Sequence, residues 1–482
     1  MRERIGAVLA PAVFLLLLLL PFDGLPEPAH RLAAVLAAVV VLWVTEALPL
    51  PVTALLGAAA CVVLQVAPAK DVFSPFADPL MFLFIGAFIL SRAIFLHGLD
   101  RRVAYAVLSL PWVGARPSRI LLAFGAVTAM ISGWISNTAT TAMMFGIGLS
   151  ILTALRGPDG RTAVAPAYAT ALMLMTSFAA SIGGLATPVG TPPNVIGLGF
   201  IRAELGVGIP FFSWMLIGVP VVVILYLLLY TYLNAVAPAG VRELPSGAQL
   251  IREERERLGP WTRGQRSVAL AFGLTVLLWM LPGFVAVAAG ENSAAYQMLL
   301  RRVPEGVAAL LGAMLLFVLP GDRGRSITWQ DAVQIDWGVV LLYGGGFALG
   351  VLSFQTGLAE AMGRGLTGLL PIDGSFGMLI ASVLVAVVLS ETTSNTASAN
   401  MVVPVVISIA RASGFDPLES ALGATLAASL GFMLPVSTPC NAIVYGSGYI
   451  PLRQMMRHGL VLDLVGIVII VTAVRLLVPL IR

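Results

Sequence analysis

The tetrapeptide Ser-Asn-Thr-Ala occurs twice in this chain, at residues 136–139 and 394–397, each time in the middle of an apolar stretch. Each copy is followed by a second shared pattern, Pro-Val-x-Thr-Pro-x-Asn, at residues 188–194 and 435–441. Polar residues inside a membrane cost free energy unless they bind a ligand or a protein partner. Two copies of the tetrapeptide, each with a matching loop, therefore predict one site that is built from two related halves.

The composition is that of a protein with many membrane spans. Of the 482 residues, 59% are hydrophobic and only 11% are charged, whereas a soluble domain has roughly 25% charged residues. Several apolar runs reach the ~20 residues that are needed to cross a bilayer. The net charge of +4 does not indicate nucleic-acid binding, because the basic residues lie mainly in loops. Cys61 and Cys440 lie in apolar segments, so we expect free thiols.

These apolar runs predict an all-α polytopic membrane protein. We expect residues 2–22 to be a retained first span, since no small-residue cleavage site follows the leucine run. Spans at 167–200 and 418–450 are predicted to be interrupted, because proline and glycine break them. The predicted uninterrupted spans are 5–22, 31–49, 52–68, 79–97, 212–235, 267–286, 304–320, 336–354 and 459–480.

Two nearly uncharged stretches, at 119–156 and 373–411, predict re-entrant helical hairpins. Each stretch is too long for one crossing and short for two crossings with a turn, and its centre is polar. Two short helices that enter, meet near mid-depth and leave on the same face explain both observations. Such irregular backbone is tolerated only where protein or a cavity surrounds it. The alternative is two ordinary spans with a polar turn at the surface, which leaves the duplication unexplained.

The basic residues predict that the N-terminus is cytoplasmic. With this orientation the inner loops hold more than twice as many arginine and lysine residues as the outer side, although Arg301 and Arg302 oppose it. An odd number of crossings then separates the two hairpins, so they open to opposite sides of the membrane. The duplication extends upstream, where residues 83–90 resemble residues 342–349. An inverted repeat with broken helices is typical of secondary transporters, whose site lies near the bilayer midplane.

The repeat predicts four parts of the chain. Residues 1–30 hold a first span outside the repeat, and residues 31–237 form the first inverted repeat. The hydrophilic stretch 238–266 is predicted to be a cytoplasmic linker that forms a solvated helix with paired charges. Residues 267–482 form the second inverted repeat.

The predicted tips offer neutral oxygen ligands, which suit a hard monovalent cation such as Na⁺. Short helices that begin at the tips would direct free N–H groups at the centre, which favours an anion. No lysine or arginine occurs in 120–155, 186–200 or 431–452. A neutral site works best when an anion arrives together with cations that offset its charge. The pattern therefore predicts a cation-coupled anion carrier.

Two further residues have open interpretations. Glu391 is either a proton or cation ligand or, as we favour, a strut that is hydrogen-bonded to backbone; Gly133 occupies the corresponding place in the first half. Arg92 is a candidate for a side chain that snorkels inward. The sequence shows no metal-ligand spacing and no nucleophile–base pair, so it predicts neither an enzyme nor an organic cofactor.

At these residues the chain resembles the divalent anion/sodium symporter family, whose members carry succinate, malate, citrate and in some cases sulfate. The paired Ser-Asn-Thr motifs and the Thr-Pro loops carry the resemblance, together with Val44-Thr45-Glu46-Ala47-Leu48-Pro49-Leu50-Pro51-Val52-Thr53-Ala54-Leu55-Leu56. It extends from about residue 30 to the end of the chain. The resemblance implies an eleven-span homodimer in which a transport domain moves as an elevator against a scaffold domain.

The resemblance also implies two sodium sites and a substrate site. The first sodium site would use Ser132, Ser136, Asn137 and the Gly190 carbonyl, and the second would use Ser390, Thr393, Asn395 and the Ser437 carbonyl. The substrate carboxylates would meet Ser136, Asn137, Thr138, Ser394, Asn395 and Thr396, with Thr191, Thr438 and Pro439 closing the pocket. The chain departs from symmetry at Cys440, where the first repeat has Pro193, and at Ser437, which stands opposite Gly190.

The expected function is sodium-coupled uptake of C4-dicarboxylates such as succinate, malate and fumarate, with Na⁺ as the co-transported ion. The expected location is the bacterial inner membrane, and the expected partners are the dicarboxylate, the lipid bilayer and a second copy of the chain, with no nucleic acid. A sodium-independent dicarboxylate exchanger and a tricarboxylate or sulfate carrier are alternatives within the same class. A non-transporting receptor or a channel is the alternative from another class.

Overall fold

The computed structural model describes residues 2–22, 24–154, 164–367 and 374–480. These residues form helices and no β-strand. The α-helices in chain order are α1 (Arg2–Leu19), α2 (Glu27–Thr45), α3 (Leu50–Val63), α4 (Ala69–Phe73), α5 (Pro79–Leu96), α6 (Leu99–Leu108), α7 (Pro117–Ser132), α8 (Asn137–Ala154), α9 (Pro166–Gly183), α10 (Pro192–Leu205), α11 (Phe211–Val236), α12 (Pro245–Arg257), α13 (Arg263–Ala289), α14 (Ala294–Arg302), α15 (Glu305–Leu316), α16 (Trp329–Ala332), α17 (Trp337–Gln355), α18 (Leu358–Thr367), α19 (Gly374–Thr392), α20 (Asn395–Ala412), α21 (Pro417–Ala427), α22 (Pro439–Tyr445) and α23 (Leu452–Leu477).

Long apolar helices dominate the fold, as the composition predicts. Within the described ranges, eight helices are long and apolar enough to cross a membrane: α2, α5, α9 with the turn that follows it, α11, α13, α17, α19 and α23. Proline is the first residue of many helices. At this position the backbone N–H would make no hydrogen bond within the helix, so its absence costs nothing, and the fixed φ of proline suits the helix. Pro79, Pro117, Pro166, Pro192 and Pro417 all occupy this position.

Two helices are shorter than the spans predicted for them. Helices α3 and α15 have 14 and 12 residues, fewer than the ~20 that a full crossing needs. After α3 the backbone turns at Gln65, whose φ of 56° lies in the left-handed region. After α15 the chain reaches Pro320, which cannot continue a helix. Hydropathy alone predicted spans at 52–68 and 304–320, because the residues beyond these turns are also apolar.

Both predicted hairpins contain a helix break at the Ser-Asn-Thr motif. Helix α7 ends at Ser132 and α8 begins at Asn137, while α19 ends at Thr392 and α20 begins at Asn395. Ser394 caps α20, because its Oγ accepts a hydrogen bond from the Ala397 backbone N–H at 3.2 Å. The outer ends of the two hairpins, at 155–163 and 368–373, lie outside the described residues.

The two predicted interrupted spans are also broken, as the glycines and prolines indicate. In the first half, α9 ends at Gly183, and α10 begins at Pro192 after a short turn and an extended loop. In the second half, α21 ends at Ala427 and α22 begins at Pro439. Each half therefore contains a two-helix hairpin followed by a broken helix.

Helices of the two halves pack against each other around the breaks. Helix α10 of the first half packs against α20 of the second, and α22 of the second half packs against α8 of the first. The Phe178 ring on α9 meets the Phe432 ring edge to face, with centroids 5.1 Å apart. A second group of helices packs beside this centre, with α5 against α15 and α3 against α17. This arrangement brings both breaks to the middle of the molecule.

Candidate functional site

The breaks of both halves open into one cavity of about 610 Å³. We call residues 132–138 with 184–191 the first tip, and residues 390–396 with 431–438 the second tip. The residues singled out in the sequence that line the cavity are Ser136, Asn137, Thr138, Gly190, Thr191, Ser394, Asn395, Thr396, Ser437, Thr438 and Pro439. Ser132, Ser390 and Thr393 do not line it but are buried beside it. The structure thus brings together motifs that lie more than two hundred residues apart.

Oxygen atoms crowd around the Asn137 side chain in the first tip. The Asn137 Oδ1 lies 2.7 Å from Ser132 Oγ. The same amide atom lies 3.1 Å from the Gly190 carbonyl and 3.2 Å from the Ala180 carbonyl. The surroundings favour the turned amide, in which Nδ2 donates to the Ser132 hydroxyl and to the two carbonyls. The oxygens around this amide are of the neutral kind that bind a hard cation, and the Ala180 carbonyl is a member of the set that the sequence did not predict.

The second tip repeats much of this arrangement around Asn395. Ser390 Oγ lies 2.7 Å from Asn395 Oδ1 and 2.7 Å from the Ala428 carbonyl. The Thr393 hydroxyl donates to the Leu389 carbonyl at 2.6 Å, which is the bond that a helical threonine commonly makes. The serine–asparagine pair and a carbonyl from the broken helix are therefore common to both tips, whereas Thr393 has its hydroxyl directed along its own helix.

The asparagine that ends each Thr-Pro loop holds its tip closed. Asn194 Nδ2 donates to the Gly184 and Thr187 carbonyls at 2.9 and 2.8 Å. Asn441 Nδ2 donates to the equivalent carbonyls of Gly431 and Leu434 at 2.9 and 3.0 Å. The sequence analysis did not name these two asparagines as functional, although their place at the end of both copies of the loop pattern was the available signal.

Glycine permits the close approach of the first loop to the first tip. A Cβ on Gly184 would lie 2.4 Å from Asn137 Oδ1, and a Cβ on Gly190 would lie 2.5 Å from the Gly184 carbonyl. In the second half Ser437 takes the place of Gly190, and its hydroxyl bonds to Glu391. The hydroxyl that breaks the symmetry is thus directed at another protein group.

Glu391 is a buried strut of the second tip. Its carboxylate accepts hydrogen bonds from the Met433 N–H at 2.7 Å, from the Leu434 N–H at 3.2 Å and from the Ser437 hydroxyl at 2.7 Å. These bonds are those of a strut that is hydrogen-bonded to backbone. In the first half, the Thr187 hydroxyl donates to the Gly133 carbonyl instead, so the two tips are fastened by different groups.

The wall opposite the tips carries charge. Arg92 and Asp336 both line the cavity, and the Arg92 guanidinium donates to the Gln334 side chain. The Arg92 Nε is buried without a hydrogen-bond partner within the described ranges. Sequence analysis placed Arg92 as a residue that snorkels inward, but it did not identify Gln334 or Asp336, because they follow α16 in a loop whose position depends on tertiary packing.

The chain is similar to known membrane transporters. A family model described as "Sodium:sulfate symporter transmembrane region" matches residues 2–481. The sodium-dependent dicarboxylate transporter SdcS of Staphylococcus saprophyticus is 34% identical over 488 residues, covering 99% of this chain and 92% of its own length. SdcS of Staphylococcus aureus is 34% identical over 492 residues, with the same coverage.

Two solved transporters share the fold. The Alcanivorax borkumensis YdaH transporter matches with a TM-score of 0.58 at 13% identity and covers 94% of this chain and 99% of its own. Neisseria gonorrhoeae MtrF matches with a TM-score of 0.56 at 14% identity and covers 97% of both chains. At these identities the likeness concerns the fold alone.

Proposed function

This chain belongs to the sodium:sulfate symporter transmembrane family, and from that premise we propose that it takes up C4-dicarboxylates such as succinate, malate and fumarate together with Na⁺. The proposal is supported by the relatives that are named sodium-dependent dicarboxylate transporters at 34% identity along nearly the whole chain. The observation that carries it is the pair of serine–asparagine–carbonyl clusters in the two tips.

Each cluster would bind one sodium ion. Ser132, Ser136, Asn137 and the Gly190 carbonyl would hold the first, to which the geometry adds the Ala180 carbonyl. Ser390, Thr393, Asn395 and the Ser437 carbonyl would hold the second, with the Ala428 carbonyl close by. Neutral oxygen ligands do not cancel the charge of a bound Na⁺, so each bound ion places a net positive charge beside the cavity.

The substrate would bind between the tips. Helices α8, α10 and α20 all begin at the cavity, so their N-terminal N–H groups and positive dipole ends face its interior. One carboxylate would meet Ser136–Thr138 and the other Ser394–Thr396, with Thr191, Thr438 and Pro439 closing the pocket. The two sodium ions would offset the charge of the dianion.

Transport would follow the elevator mechanism in a homodimer in the bacterial plasma membrane, with the N-terminus in the cytoplasm. The interlocked helices of the two tips would move as one domain, past a scaffold that includes α5 and α17. Sodium would bind first and order the asparagine clusters, so that the anion meets a formed site. The empty carrier, with polar groups unsatisfied, would resist movement through the bilayer.

Uptake by the purified protein in proteoliposomes tests this function. Under an imposed inward sodium gradient, the protein should accumulate radiolabelled succinate, and unlabelled malate and fumarate should compete. Asn137→Ala and Asn395→Ala should each abolish sodium-dependent uptake, because each removes the central oxygen of one cluster. Asn292→Ala, at an exposed asparagine outside the cavity, is the control and should transport normally. Normal uptake by both cluster variants would exclude the proposal, and citrate and sulfate as competitors would separate the alternatives.

A further inference from the structure

The two halves match closely enough to assign equivalent positions on α11 and α23. A Cβ on Gly218 of α11 would lie 2.4 Å from the Leu185 carbonyl, and a Cβ on Gly459 of α23 would lie 2.4 Å from the Phe432 carbonyl. Leu185 and Phe432 both follow the first glycine of their tip loop. The same glycine contact thus fixes each long helix against its own tip.

One turn farther along, the two halves differ in charge. Four residues after the packing glycine, α11 has Val222, whereas α23 has Asp463. At the hairpin break, the residue after the serine is Gly133 in the first half and Glu391 in the second. The second half therefore carries two acids where the first half forms the same packing with none, so the fold itself does not require them.

These two acids are buried together. Glu391 and Asp463 each retain only 3% of their surface exposure. The Glu391 carboxyl group and the Phe432 backbone are the polar neighbours of Asp463. Neither Asp463 oxygen has a hydrogen-bond partner among the described residues. The Glu391 oxygens, in contrast, are occupied by two backbone N–H groups and the Ser437 hydroxyl.

No basic side chain of the described residues forms an ion pair with either acid. On α23 itself, Arg453 and Arg457 are exposed, and His458 bonds to Tyr232 of α11. Arg475 pairs with Glu419 of α21 at 3.0 Å. Two neighbouring carboxylates in an apolar interior repel each other, and a cation between them reduces that repulsion.

We propose that Glu391 and Asp463 form a binding site for one further sodium ion behind the second tip. The inference rests on the proposed transport function. A sodium ion here offsets one of the two negative charges of the pair, and Asp463 supplies oxygens that no donor among the described residues occupies. Since Glu391 also anchors the loop that ends at Ser437, occupation of this site stabilises the second tip in its binding geometry. The extra cation then travels with the substrate.

The number of charges moved with each succinate tests the proposal. Reversal potentials of the wild-type protein in proteoliposomes give this number, and Asp463→Asn and Asp463→Val should lower it by one. Valine is the residue at the equivalent position in the first half. The number of sodium ions per succinate should also fall by one, and an unchanged sodium number would overturn the proposal. Glu419→Gln, at a buried acid that has an arginine partner, should leave the number unchanged.

An unchanged charge number in both Asp463 variants would overturn the proposal. If neither variant transports, thermal unfolding of the purified proteins provides the readout, because a ligand that binds the folded state raises the unfolding temperature. Asp463→Asn should then lose part of the dependence on sodium concentration that the wild type shows, and an identical dependence would overturn the proposal. Failure of the wild type to take up succinate would instead refute the transport function, so the two failures are distinct.

Discussion

At the scale of single residues, close contacts that leave no room for a methyl group determine the geometry of the first tip. Gly184 lies against the Asn137 amide, and Gly190 lies against the Gly184 carbonyl. The glycines therefore fix the position of the Asn137 side chain relative to the two carbonyls it faces. Their presence at a break was predictable from the sequence, but the atoms that they approach were not, because the contact joins the hairpin to the broken helix.

Gly184→Ala should impair sodium binding more than folding. The added Cβ would lie 2.4 Å from Asn137 Oδ1 and would displace the amide. We expect at least a tenfold rise in the sodium concentration that gives half-maximal uptake. Gly146→Ala is the matched control, because its Cβ would meet no atom within 4 Å and alanine favours a helix by about 1 kcal/mol. An unchanged sodium requirement in Gly184→Ala would show that Asn137 is not a ligand.

At the scale of elements, the sequence predicts where the helices break more clearly than it predicts which hydrogen bonds hold the breaks in place. The positions of Asn137 and Asn395 at the starts of helices follow from polar motifs inside apolar runs. The hydrogen bonds that close the loops could not be predicted from the repeated motifs. In the first tip Thr187 bonds to Gly133, whereas in the second tip Ser437 bonds to Glu391. A repeat can conserve its backbone geometry while different side chains maintain it, and a pattern search detects only the side chains that recur.

Ser437→Gly separates the two roles of this residue. The proposed sodium ligand is the backbone carbonyl, which glycine retains, whereas among the described residues the hydroxyl bonds only to Glu391. Sodium-coupled uptake should therefore persist, while the free energy of unfolding falls by about 1–3 kcal/mol because a buried carboxylate loses a donor. Thermal unfolding and uptake measured on the same preparation would check both expectations. Loss of sodium dependence in a folded variant would assign the hydroxyl to the ion.

At the scale of the whole molecule, the cavity has walls of different character. The tips contribute neutral oxygens and helix N-termini, and the opposite wall contributes Arg92, Gln334 and Asp336. The sequence predicted the neutral tips, since no basic residue occurs within them, but the charged wall follows from how α5 packs beside the loop before α17. The volume between the walls is a property of this packing, which hydropathy does not encode.

Arg92→Gln should weaken substrate attraction without changing sodium coupling. Arg92 lines the cavity with its Nε unpaired among the described residues, so it attracts a dianion across the cavity. We expect a roughly fivefold rise in the KM for succinate, which corresponds to about 1 kcal/mol. Initial rates at saturating sodium would measure it, with the exposed Arg263→Gln as control. Equal KM values in the two variants would show that Arg92 does not interact with the substrate.

The contact between Phe178 and Phe432 and the hydrogen bond from Ser177 to Asn441 join α9 of the first half to the second tip loop and to α22. A shift of the second tip loop would therefore also disturb the broken helix of the first half. On the proposed transport function, this connection would favour carriers that are either fully loaded or fully empty, and it would suppress leakage of ions without substrate.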